Sequence, residues 1–171
     1  MDYRKELIKM IDRFNIKSVE ELREVEMRII ADSRFTMITR KKDYNGHINT
    51  LKRVKQNALK IDPHNIVVPK SDIEAVELKS VFEKCIIIFN GVCDAYIQLM
   101  NTLKIKSEGT AKVSFSEYKE IHNKVKFAKE NFNAYMHDMD IICTDFSGFN
   151  EEIDEDENLS GVEYMTYDSI K

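Results

Sequence analysis

Apolar positions recur every three to four residues over most of this chain, the spacing of one face of an α-helix. Leu7, Ile8, Ile11 and Phe14 mark a short amphipathic helix over residues 3–14, which Asn15 is expected to break. Ser18-Val19-Glu20-Glu21 fits a capping box, with the Ser18 hydroxyl bonding an exposed amide and Glu21 reaching back. A second helix should start there and run to near Lys42, carried by Val19, Leu22, Val25, Ile29 and Ile30. Asp43-Tyr44-Asn45-Gly46 reads as a turn. Ile48, Leu51, Val54, Ala58 and Leu59 then predict a third helix that ends before Asp62-Pro63. The segment DPHNIVVPKS holds both prolines and divides the chain into two halves.

The second half reads as a long antiparallel hairpin. Ser71-Asp72-Ile73-Glu74 is another capping box, followed by a wide apolar face that includes Val81, Phe82, Cys85, Ile86, Phe89, Val92, Cys93, Tyr96, Leu99 and Met100. A helix to Leu103 would span roughly 50 Å at 1.5 Å per residue. Gly91 in its middle suggests a close helix approach or a slight kink. Ser107-Glu108-Gly109-Thr110 closes the loop, and Ser114-Phe115-Ser116-Glu117 opens the last helix. There Tyr118, Ile121, Val125, Ala128, Phe132, Tyr135, Met139 and Ile142 form a narrow stripe of alternating three- and four-residue steps. Such a stripe packs along one partner helix, within the chain or across a homodimer seam. The expected fold is all-α: a bundle of four to five helices with a long antiparallel hairpin over residues 72–142. Residues 1–143 form one helical domain, front helices 1–61 and hairpin 71–143, and residues 144–171 a flexible tail.

Composition agrees with one helical unit. The chain has 171 residues, with only 5 Gly, 2 Pro and no Trp, which argues against sandwiches, barrels and collagen-like folds. Its longest uninterrupted apolar run is residues 85–89, so no transmembrane helix or membrane partner is expected. The charged N-terminus lacks a signal-peptide stretch, and three cysteines at no paired spacing suit a reducing cytoplasm. Lys-, Ile- and Asn-rich usage suggests an A+T-rich bacterial or phage genome.

Charge changes the picture more. The net charge of −4 divides into +6 over residues 1–61, −2 over 62–143 and −8 over 144–171. The acidic block from Glu151 to Glu157 favours an unfolded, solvated tail. Between Arg34 and Lys60 the cations Arg34, Arg40, Lys41, Lys42, Lys52, Arg53, Lys55 and Lys60 face Asp43 alone, a net of +7. Arg34, Arg40, Lys41, Lys42, Lys52, Arg53 and Lys55 are therefore the candidate partner- or phosphate-binding residues. An acidic protein or the chain's own tail would suit the same patch. Aromatic residues for base stacking are limited there to Phe35 and Tyr44.

Catalytic chemistry finds little footing. His47, His64, His122 and His137 are scattered, with no pair at metal-ligand spacing on one helix. His137 with Asp138 and Asp140 reads as a surface pair, while Cys85 and Cys93 read as small core residues. Glu20-Glu21-Leu22-Arg23-Glu24 resembles the E-E-x-x-E half of the Mg²⁺ motif of all-α nucleotide pyrophosphohydrolases, but no E-x-x-D half follows in residues 25–61. Arg40 and His47 are similar to the loose R-x(4–6)-H pattern of HEPN-type helical ribonucleases. That resemblance, confined to residues 40–47, implies phosphate binding by Arg40 and assistance by His47 to 2′-hydroxyl attack. No catalytic residue, metal site or cofactor is expected in the leading reading. In it, the chain is a non-enzymatic helical interaction module, such as an inhibitor, immunity, anti-defence or regulatory accessory protein, that docks a protein partner. The alternative is a nucleic-acid-binding protein, in its sharpest form a HEPN-like ribonuclease, using the basic segment 34–60.

Overall fold

The computed structural model describes residues 2–35 and 42–154, with side chains over 2–32 and 42–146. Five α-helices follow in chain order: α1 (Tyr3–Phe14), α2 (Glu20–Phe35), α3 (Tyr44–Leu59), α4 (Ile73–Glu108) and α5 (Phe115–Asp154). A π-helical turn, Asn15–Val19, links α1 to α2, and a 3₁₀ turn, Pro63–Asn65, precedes α4. No strand occurs among the described residues, so the fold class is all-α.

Asp2 opens α1 by accepting from the N–H groups of Arg4 and Lys5. The break expected at Asn15 does not occur: Asn15 keeps helical dihedrals, φ −59° and ψ −52°. Phe14 and Val19 are both buried core residues five positions apart, a step too long for a regular turn. An i→i+5 turn absorbs it and holds both on one side of a continuous column. Ser18 therefore caps nothing. It is fully buried, and its Oγ, like Asn15 Oδ1, has no hydrogen-bond partner among the described residues.

The other helix starts also shift from the expected turns. Asp43, read as part of a reversal, is the N-cap of α3 and accepts from Gly46 N–H at 2.8 Å. Gly46 is thereby helical. Asp72, rather than Ser71, caps α4 and accepts from Ala75 N–H at 3.2 Å. α4 takes in Ser107 and Glu108 and stops only at Gly109, whose φ of 67° is the left-handed conformation that favours glycine. Ser114 behaves as its capping box predicts, accepting from Glu117 N–H at 3.1 Å.

Side-chain pairs set the packing. Phe89 meets Phe132 edge-on at 5.4 Å, Cys85 Sγ–H donates to Met136 Sδ at 3.4 Å, and Lys106 lies over Tyr118. α4 and α5 thus run side by side in opposite directions. On another side of α4, Lys55 of α3 binds Asp94 at 2.7 Å, and His64 Nδ1 lies 3.2 Å from Glu83. Phe14 packs edge-on against both Phe82 and Phe89, at 5.6 and 5.1 Å, which seats the α1–α2 column over the middle of α4. Leu7, Leu51, Leu78, Met100 and Met139 complete the fully buried centre.

α5 continues well past Ile142, where the apolar stripe suggested its end and the acidic segment was expected to begin. Phe146 is the reason. It is 1 % exposed and sits under the Arg4 guanidinium, 4.6 Å from the ring centre. Arg4 in turn grips Asp72 through two bonds of 2.7 Å, and Tyr3 O–H donates to the same carboxylate at 2.8 Å. The starts of α1 and α4 are fastened to the later part of α5 by this cluster, and the guanidinium holds the Asp72 carboxyl at a pKa of about 2. Residues 155–171 lie outside the described part of the chain.

The absence of a long apolar run also understated α4. Within this helix, an 18-residue window of mean hydropathy 1.2 passes a length-and-composition test for membrane spans, with half of the window buried inside the fold. A core helix of a folded domain has the same signature.

Candidate interaction surfaces

Of the seven candidate cations, Arg40 and Lys41 lie outside the described residues, and Arg34 is described in backbone only. Lys52 and Arg53 are exposed on α3, while Lys42 and Lys55 are half-buried. Two are already neutralised within the fold: Arg53 donates to Glu21 on α2, and Lys55 is held by Asp94 on α4. Lys42, Lys52 and Lys60 have no ion pair among the described residues. His47, the other half of the R-x(4–6)-H resemblance, sits in the first turn of α3. Its Nε2–H donates to Asp32 at 2.7 Å, and only 12 % of the side chain is exposed. The ring thus fastens α3 to α2.

The α5 stripe is spent inside the chain. Ile121, Val125, Phe132 and Met139 are buried, and Tyr118 and Tyr135 lie half-buried at its edges. None of the three cysteines is in a disulfide, and burial pushes the thiols of Cys85 and Cys93 up to about 12 and that of Cys143 to about 11. They carry negligible thiolate near neutral pH.

A concave site also forms away from the basic segment. Between α2 and α5 lies a cleft of about 420 Å³, floored by Val19, Leu22, Val92, Phe132 and Met136. The π turn places Val19 at the floor. Arg23 and Glu26 line it from α2, and Lys129, Asn133, His137 and Asp140 from α5. Lys129 Nζ donates to Glu26 across the gap at 2.9 Å and stands 6.0 Å from the Tyr96 ring centre. Glu26 is 14 % exposed at its side chain, so this pair is partly withdrawn from water. Burial first, and the Glu26 charge second, push the Tyr96 hydroxyl pKa up.

No family model, curated protein or solved structure matches the chain.

The cleft's chemistry must therefore be read from its own residues. Among the described residues, no three His, Cys, Asp or Glu side chains are grouped to hold a metal ion. His137 and Asp140 share the cleft lining, three positions apart on α5. Val19, Leu22, Val92 and Phe132 at the floor are buried, so the cleft presents chiefly the polar side chains of its walls. The available sequence signal was a polar row on the last helix, Lys129, Asn133, His137 and Asp140, running beside the apolar stripe.

Proposed function

We propose that this chain is a non-enzymatic helical interaction module of the inhibitor, immunity, anti-defence or regulatory accessory kind. It is a single cytoplasmic domain built as a bundle on the α4–α5 hairpin, and it acts by docking a protein partner. The α2–α5 cleft is the observation that carries this reading. Its floor is already buried in the core, and Arg23, Glu26, Lys129, His137 and Asp140 around it offer charges of both signs to the polar groups of a protein segment. Three thiols outside any disulfide, each held protonated by burial, suit a reducing compartment. Nucleic-acid binding through α3 is the second reading, favoured by Lys42, Lys52 and Lys60, which have no ion pair among the described residues. Internal pairing of Arg53 and Lys55 weighs against it, because a cation must exchange its own carboxylate before it neutralises a phosphate.

Capture from cytosolic extract separates the two. The full-length protein is compared with a cleft-filling Asn133→Trp variant and with a Lys52→Glu/Arg53→Glu variant. A protein retained by the parent and by the α3 variant, but lost on filling the cleft, is expected. Nuclease-sensitive, salt-sensitive retention that disappears only in the α3 variant would replace the proposal with the second reading.

A further inference from the structure

One residue at the floor of the α2–α5 cleft is not closed off by the core. Val19, Leu22, Val92 and Phe132 are buried there, whereas Met136 is half-buried. Its Sδ accepts from Cys85 Sγ–H at 3.4 Å, and Cys85 is fully buried, so this contact reaches the thioether from the core. Solvent reaches the Met136 side chain from the cleft. Met100 and Met139, by contrast, are 2 % and 0 % exposed. The cysteines are poor targets for an oxidant, because burial keeps all three thiols protonated and peroxide attacks the thiolate. A thioether needs no deprotonation: its lone pair is available at any pH. Sulfur oxidation in this fold is thereby shifted from the cysteines to the methionines that solvent reaches, and Met136 is the one that lines the cleft.

We propose that Met136 is a modification site, converted to the sulfoxide by peroxide in the folded protein, and that this conversion weakens docking in the cleft. The sulfur lone pair attacks one peroxide oxygen, an S–O bond forms as the O–O bond breaks, and the other oxygen leaves as water. Sulfur loses two electrons and the peroxide gains them, with no electron drawn from the protein's thiols. The product is larger than the thioether and strongly polar. Its oxygen accepts hydrogen bonds, and donors stand ready: the Cys85 S–H beside the sulfur, and the N–H groups of Asn133 and His137 in the cleft lining. The fold therefore tolerates the oxidised side chain while the cleft changes shape and polarity. Reduction of the sulfoxide restores the cleft, so the change is reversible. The regulatory half of the proposal rests on the docking reading; the chemical half does not.

Peroxide titration of the full-length protein, followed by peptide mass mapping, tests the chemistry. Met136 sulfoxide is expected at least tenfold faster than sulfoxide at Met100 and Met139, with unchanged circular dichroism and all three thiols intact. Met27, 68 % exposed on α2, reports that peroxide is in excess. Oxidation of Met136 only in step with Met100 and Met139 overturns the proposal, since the sulfur would then be reached by unfolding. Loss of the Cys85 thiol ahead of Met136 overturns it too. For the regulation, capture from cytosolic extract through the cleft should fall at least fivefold after peroxide and return after treatment with methionine sulfoxide reductase and dithiothreitol. Met136→Leu, which conserves volume but cannot be oxidised, should keep its capture through the same treatment. Capture unchanged by complete Met136 oxidation, or lost equally in Met136→Leu, overturns the regulation. Absence of any captured partner before peroxide refutes the docking reading and the regulation with it, while the mass map still decides whether Met136 is the site.

Discussion

Replacing Gly91 with alanine should stabilise the monomer, and the structure fixes both sign and size. Gly91 lies in the middle of the 36-residue α4, and the only positive-φ glycine among the described residues is Gly109. Beyond its own helical turn the new methyl group meets no atom within 4 Å, so it creates neither a clash nor a buried tertiary contact. What remains is the backbone entropy that glycine loses on entering a helix, about 1 kcal/mol in alanine's favour. For a chain of this length, that corresponds to a rise in Tm of about 2–4 °C. Urea unfolding at low protein concentration is the assay: the midpoint should rise while the slope stays unchanged. Gly109→Ala is the control of opposite sign, since its φ of 67° makes alanine costly by about 1 kcal/mol. Loss of stability in Gly91→Ala at low concentration would refute the reasoning, because it requires an atom against Gly91 that an open face cannot supply.

Phe132→Ala should cost about 3–5 kcal/mol in chemical denaturation, as expected for a buried aromatic, and Phe132→Glu should abolish the cooperative near-UV signal. A folded Phe132→Glu monomer would show that the α5 stripe is not core. Asp72 titrates at about 2 when folded against 3.8 ordinarily, so its stabilisation is complete above pH 4 and is lost as the pH falls through about 2. Stability measured over that window should flatten in Asp72→Asn, which keeps a capping oxygen but no charge. Cys85 and Cys93 should resist thiol reagents at neutral pH until unfolding; rapid modification of the native protein would contradict their burial.

Which parts of this fold were legible follows from how far each determinant reaches along the chain. The α5 stripe and the Ser114–Glu117 cap depend on neighbours three or four residues away, and the sequence pattern shows them directly. At Asn15 the five-residue step from Phe14 to Val19 reads as a break, because a π turn is chosen by packing against Phe82 and Phe89, far along the chain. Ser71 and Asp72 are both good caps, and Arg4 with Tyr3, nearly seventy positions earlier, selects Asp72. The same cluster carries α5 past position 143, since Phe146 finds its cover only beneath Arg4. Local charge density alone could not show that. The cleft was the least legible, being formed by residues of α2 and α5 that lie more than a hundred positions apart, such as Glu26 and Lys129. The basic segment was visible as composition, but its pairing with Glu21 and Asp94 was not.

The most direct test of docking in the α2–α5 cleft is photo-cross-linking in the native cell. A photoreactive residue replaces Asn133 at the cleft or, in a parallel experiment, Lys52 on the outer face of α3. The cleft position is expected to yield a discrete protein adduct that Asp140→Arg on the same wall weakens, and the α3 position none. Nucleic-acid adducts from position 52, with nothing captured at position 133, would contradict it.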